Sequence, residues 1–95
     1  LRDYELTLVV SPEVSDEGLS AIIDKICQFV VEKGGNINDI NRWGRRKLAY
    51  PIRRFSEGNY ILVQFKLEPQ VTAELESNLR LWDEVLRHLL VRSGE

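Results

Sequence analysis

The residue order predicts an α+β domain of plan βαββαβ, with four strands in one antiparallel sheet and two helices packed on one of its faces. Three observations carry this expectation. Stretches with an apolar period of two alternate with stretches at helical spacing, and they do so in that order along the chain. Glycine and proline stand between them, at Pro12, Gly34-Gly35, Gly58 and Pro69. No composition shift, repeat or low-complexity tract divides the 95 residues, so 1–95 reads as one domain.

The first strand is read over Tyr4 to Val10, where Tyr4, Leu6, Leu8 and Val10 alternate with Glu5, Thr7 and Val9. Ser11-Pro12-Glu13 stops it. Ser15 can cap a helix whose first turn holds Asp16 and Glu17, acids suited to the positive end of a helix dipole. Leu19, Ile22, Ile23, Ile26, Phe29 and Val30 recur on one side of that helix, and Gly34-Gly35 ends it. Asn36 to Ile52 reads as a long second strand. Its apolar residues change parity between Ile37 and Ile40, which predicts a bulge, and Gly44 marks a possible second irregularity. Arg53 to Asn59 reads as a hairpin loop with Ser56-Glu57-Gly58-Asn59 as its turn.

The third strand is read over Tyr60 to Leu67, with Ile61, Val63, Phe65 and Leu67 on one face and Tyr60, Leu62, Gln64 and Lys66 on the other. Pro69 can open a second helix, lined on one side by Val71, Leu75 and Leu79. Asp83 and Glu84 interrupt it before the last strand, Val85 to Arg92. This is the ferredoxin-like, split βαβ plan. Two helices on one face leave the other face open, and Tyr60 and Leu62 lie on it.

Charge is unevenly distributed. The stretch Arg42 to Arg54 contains six of the thirteen Lys and Arg residues and no acid. The rest holds seven bases and fifteen acids, so a local +6 and a −8 elsewhere make the net −2. A basic island with Trp43 and Tyr50 among the cations suits phosphates and bases. The plainer reading is an edge strand guarded by its charges. Catalysis is poorly supplied: Cys27 and His88 are each alone of their kind, which leaves no metal cluster, no Cys/His nucleophile pair and no disulfide framework. Cys27, within the apolar series of the first helix, reads as a core filler. A phosphate-cradling hydrolase on the same plan would place donors in the loop after the first strand. Here Ser11 to Glu17 holds three acids, a proline and no arginine. No run is long and apolar enough to span a bilayer, and the N-terminus lacks the pattern of a secretory signal.

The segment Trp43-Gly44-Arg45-Arg46-Lys47-Leu48-Ala49-Tyr50-Pro51-Ile52 resembles the signature of the bacterial small-subunit ribosomal protein six family. Arg2-Asp3-Tyr4-Glu5, Ser11-Pro12, Gly58-Asn59-Tyr60 and Leu79-Arg80 extend the resemblance over essentially the whole chain. His88, where an aliphatic residue would be comfortable, is a departure from it. The resemblance implies a cytoplasmic, non-catalytic component of the small ribosomal subunit. It implies partnership with ribosomal protein eighteen and joint binding to the central domain of the small-subunit ribosomal RNA during assembly. It implies no cofactor, metal, membrane or small-molecule substrate.

Within that frame Arg45, Arg46 and Lys47 offer charge and donors to phosphates. Tyr50 has two open readings, packing between strands or stacking near RNA. Leu48 and Ile52 are expected to hold the strand against the core, and Pro51 to lie where the edge is unpaired. Arg2 and Arg87, near the starts of adjacent strands, are second-rank RNA contacts. Tyr60 and Leu62 on the open face are the protein-partner candidates. Arg53 and Arg54 are expected in a solvated loop.

Overall fold

In a computed structural model, the described residues 1–93 form β1 (Arg2–Val10), α1 (Asp16–Glu32), β2 (Asn36–Ile52), β3 (Phe55–Leu67), a 3-10 turn (Pro69–Val71), α2 (Thr72–Leu81) and β4 (Val85–Arg92). The expected domain 1–95 also includes Gly94 and Glu95, which lie outside the described residues. The strands make one sheet in the order β2-β3-β1-β4, with every neighbouring pair antiparallel. The ferredoxin-like plan is therefore the observed one.

The alternation along β1 and β3 builds the core. Tyr4, Leu6, Leu8 and Val10 pair with Phe65, Val63, Ile61 and Asn59. Opposed residues of an antiparallel pair share a face, so these meet Leu19, Ile22, Ile23, Ile26 and Val30 of α1, with Leu75 and Leu79 of α2. Tyr4 and Phe65 also stack, with ring centres 5.9 Å apart. Cys27 packs against this cluster, and burial pushes its thiol above the ordinary value.

Local chemistry sets the ends of α1. Ser15 Oγ accepts from the Gly18 backbone N–H at 3.1 Å. At the other end Gly34, with φ of 85°, donates to the Val31 carbonyl while Gly35 N–H bonds the Val30 carbonyl at 2.8 Å. These paired bonds form a Schellman closure, which requires the left-handed residue. Gly35 then lets β2 start against β3, since a Cβ there would lie 2.3 Å from the Lys66 carbonyl oxygen.

Several boundaries differ from the sequence reading. β1 begins at Arg2, two residues before the expected Tyr4. The second helix opens as a 3-10 turn over Pro69–Val71. The hairpin turn is not at Ser56 to Asn59. β3 already runs from Phe55, and the chain reverses at Arg53-Arg54, with Arg53 at φ 57°. Gly58 lies inside the strand because a side chain would not fit: a Cβ would sit 2.5 Å from Val9 Cγ1. Asn59 is buried and donates from Nδ2 to the Ser11 carbonyl at 3.1 Å, closing a loop rather than making a turn. Gly and Asn carry turn character in general, but here tight packing and a buried donor explain both.

Candidate nucleic-acid interface

The expected irregularities of β2 are present and shape a basic arm. Its register against β3 shifts between Ile37 and Asp39, between Arg42 and Gly44, and between Lys47 and Ile52. Gly44 takes φ of 82°, which a side chain would resist. Lys47 pairs with Glu57 and Ile52 with Phe55, so Leu48 to Pro51 face Ser56 alone. Extra residues on one strand bend and twist the ladder. Pro51, which has no N–H to offer, falls in that excess on an edge strand, and among the described residues every peptide bond is trans.

The bend carries the arm across the sheet end. Tyr50 of β2 reaches Arg87 of β4, although these strands are opposite edges. The Arg87 Nη2 donates to the Tyr50 hydroxyl oxygen at 2.6 Å, and its guanidinium lies 5.3 Å from the ring centre. Tyr50 is 57% exposed, so it neither packs into the core nor lies free: it is held on a cation with part of its ring open to solvent. Leu48 Cδ2 and Val9 Cγ1 flank the same point beside Gly58, and Val9 is buried although its parity puts it on the open face. Leu48 and Ile52 are half-buried and stand outside the main core, so neither anchors in it as expected, and Trp43 is half-exposed.

The bases of the arm have specific neighbours. Arg45 Nη2 donates to the Pro12 carbonyl at 2.8 Å and lies 3.7 Å from Glu57 through Nη1. Arg46 Nε donates to the Trp43 carbonyl at 3.2 Å. The Lys47 ammonium has no hydrogen-bond or ion-pair partner among the described residues. Register sets Arg45 opposite Asn59, Arg46 opposite Gly58 and Lys47 opposite Glu57, so Arg46 points to the other side from its two neighbours. The three form a two-sided ridge rather than a single flat patch. Arg53 and Arg54, expected in a solvated loop, make the tight turn: Arg53 Nη1 bonds the Asp83 carbonyl at 3.0 Å, and Arg54 Nη2 lies 3.4 Å from Glu13. Beneath them lies a cleft of about 310 Å³, lined by Ser11, Glu13, Phe55, Asp83 and Leu86 among others.

Arg2 and Arg87 are not brought together. Arg2 pairs with Leu67 and Arg87 with Val9, so they occupy opposite ends of β1, roughly 23 Å apart at strand rise. Adjacent strands are antiparallel here, which separates their starts.

The open face is graded along β1. Asp3 pairs with Lys66 and Glu5 with Gln64 at one end; Thr7 lies between Leu62 and Leu89 in the middle; Val9 lies between Tyr60 and Arg87 at the arm end. The Lys66 ammonium donates to Asp3 Oδ1 at 2.8 Å, which holds the Asp3 carboxyl below its ordinary value. Tyr60 and Leu62 are half-buried, while Leu89 and Val91 are exposed. Neither of the latter was singled out from the sequence. The nearly continuous apolar run of β4 has no alternation to mark its faces, and the register against β1 puts Leu89 beside Thr7 and Val91 beside Glu5, on the face that the helices leave uncovered. Among the described residues no three His, Cys, Asp or Glu converge to hold a metal ion, and no helix is long and apolar enough to cross a membrane.

The family described as ribosomal protein S6 matches residues 3–92. The chain belongs to the ribosomal protein S6 family. It is 42% identical over its full length to small ribosomal subunit protein bS6 of Caldanaerobacter subterraneus, and 40% identical to that of Desulforamulus reducens, covering 100% of each. The crystal structure of 30S ribosomal protein S6 from Thermotoga maritima superposes with a TM-score of 0.91 at 31% identity, over 97% of this chain and 87% of that one. The S6-family chain is thus a small-subunit ribosomal protein of the cytoplasmic ribosome and not an enzyme. The segment that carries the family resemblance in sequence, Trp43 to Ile52, is the bent arm of β2.

Proposed function

We propose that this S6-family protein, as a single domain over residues 1–95, binds the central domain of the small-subunit ribosomal RNA together with ribosomal protein eighteen, and that the bent arm is its RNA surface. The observation that carries the reading is the arm itself: Arg45, Arg46 and Lys47 project on a ridge without acids in its own sequence, beside Tyr50 and Arg87 at the same end of the sheet. Lys47 and the outer sides of the arginines supply donors to phosphates, and the exposed part of the Tyr50 ring supplies a stacking surface. Arg2, at the far end of β1, would contact a separate stretch of backbone.

The protein partner is assigned to the open sheet face. Tyr60 and Leu62 form its apolar centre, continued by Leu89 and Val91 on β4. A half-buried apolar centre with polar ends resembles the anatomy of protein interfaces. A titration with central-domain RNA fragments, with and without protein eighteen, tests the assignment. The Arg45→Ala, Arg46→Ala, Lys47→Ala triple variant is expected to stay folded and bind more weakly, each lost phosphate contact lowering the log-log salt slope by roughly 0.7 to 0.9. Binding as tight as the parent at every salt concentration overturns the arm as the RNA surface. Absence of any RNA binding with the partner present overturns the function.

A further inference from the structure

Four arginines of the basic island face carboxylates of the same chain: besides Arg45, paired with Glu57 across the hairpin, the three that flank the arm do so. Arg42 Nη2 lies 3.3 Å from Asp16 Oδ1, Arg53 Nη1 3.4 Å from Asp83 Oδ1, and Arg54 Nη2 3.4 Å from Glu13 Oε1. These acids come from the β1–α1 loop, the first turn of α1 and the α2–β4 loop, which converge beside the arm. The island is without acids in sequence but not in space.

We propose that Glu13, Asp16 and Asp83 are built-in competitors of RNA: each occupies an arginine as a phosphate would, and so lowers the arm's affinity for polyanions. The proposal rests on the arm being the RNA surface. The carboxylates are placed to be displaced, since the side chains of Asp16 and Asp83 are 96% and 98% exposed. Exposed pairs of this kind are weak, worth about 1.4- to 5-fold each in an equilibrium. Phosphate oxygens can take the planar fork of an arginine in two parallel bonds, which makes them stronger acceptors than these long contacts, each made through one guanidinium nitrogen. A displaced carboxylate also stays beside the arm, where it repels any phosphate that arrives out of register. Repulsion of wrong ligands is a general source of selectivity.

The same pairs also tie the arm to the body, and amide substitutions separate the two roles. Asn and Gln keep an oxygen acceptor for the arginine but lose the charge. The experiment compares the full chain with a Glu13→Gln, Asp16→Asn, Asp83→Asn variant. A control variant, Asp24→Asn, Glu32→Gln, Glu74→Gln, removes the same charge from the helices. Anisotropy titrations use a central-domain RNA fragment with protein eighteen present, and an unrelated RNA duplex of equal length, at several salt concentrations. The arm-facing variant is expected to bind the duplex at least about threefold more tightly than the parent, with a gain that shrinks as salt rises. The control is expected to stay near the parent. No gain in the arm-facing variant, or an equal gain in the control, overturns the proposal. A parent that leaves the central-domain fragment unbound overturns the RNA assignment instead, while the duplex comparison still decides this one. Single substitutions of Asp16 and Asp83, whose side chains are almost wholly exposed, serve if the triple variant loses its fold.

Discussion

At Gly58 a missing side chain decides how closely two strands approach. A Cβ would come within 2.5 Å of Val9 Cγ1, a distance that forces one of the two to move. Gly58→Ala is therefore expected to lower stability by about 1–3 kcal/mol, the usual cost of overpacking. Val9→Ala removes the clashing methyl, so in the double variant the two losses are expected to sum to less than their separate values, and urea unfolding of all four chains measures the difference. Asp3 behaves differently because its partner is a charge. The hydrogen bond from Lys66, with the added pull of its positive charge, holds the carboxyl below its ordinary value of 3.8. A lowered native value means that the carboxylate's contribution to stability is complete above 3.8 and is lost as pH falls through the native value. Carbon-detected NMR titration of Asp3 should give a midpoint below 3.8, and Lys66→Ala should bring it back towards that value. A midpoint unmoved by Lys66→Ala would assign the shift to another cause.

At the scale of elements, local sequence and observed structure agree wherever a helix or strand is closed by its own residues. Ser15 caps α1 with a hydrogen bond to Gly18, so Ser15→Ala is expected to cost about 0.5–2 kcal/mol in a thermal or urea melt, whereas Ser15→Asp, which can still accept that bond, is expected to keep most of the stability. The strand β2 runs over Asn36–Ile52, as its composition predicts, and the shift at Ile37 follows from a change of apolar parity that is visible in the chain. The hairpin after it was not legible. Ser56 to Asn59 has the residues of a turn, yet the turn is Arg53-Arg54, and a positive φ at an arginine has no signature in composition. The exposure of Leu89 and Val91 was equally illegible, because a continuous apolar run carries no alternation to tell the covered face of β4 from the open one.

At the scale of the whole molecule, charge and topology give the protein two unlike sides. The arm with Tyr50 and Arg87 stands at one end of the sheet, while Glu17, Asp24, Glu32, Glu74 and Glu76 spread along the helices. If RNA approaches the arm, hydroxyl-radical footprinting of the protein should protect Arg45 to Tyr50 and Arg87 and leave Lys25 and Leu81, on the helices, fully reactive. Protection of the helices with an open arm would reverse the orientation.

The chain itself determined the order of elements, the buried faces of β1 and β3, the caps of α1 and the existence of a basic segment in β2. All of these depend on residues within a few positions of one another, where period and composition are direct physical signals. Only the tertiary structure decided that Arg42 meets Asp16, that Arg53 meets Asp83 and that Arg54 meets Glu13, pairs separated by 26, 30 and 41 positions. It likewise set Tyr50 on Arg87 across two intervening strands and parted Arg2 from Arg87. Such meetings depend on strand register and on the bend of one arm, and no local pattern in a sequence encodes which distant residues a bend will bring together.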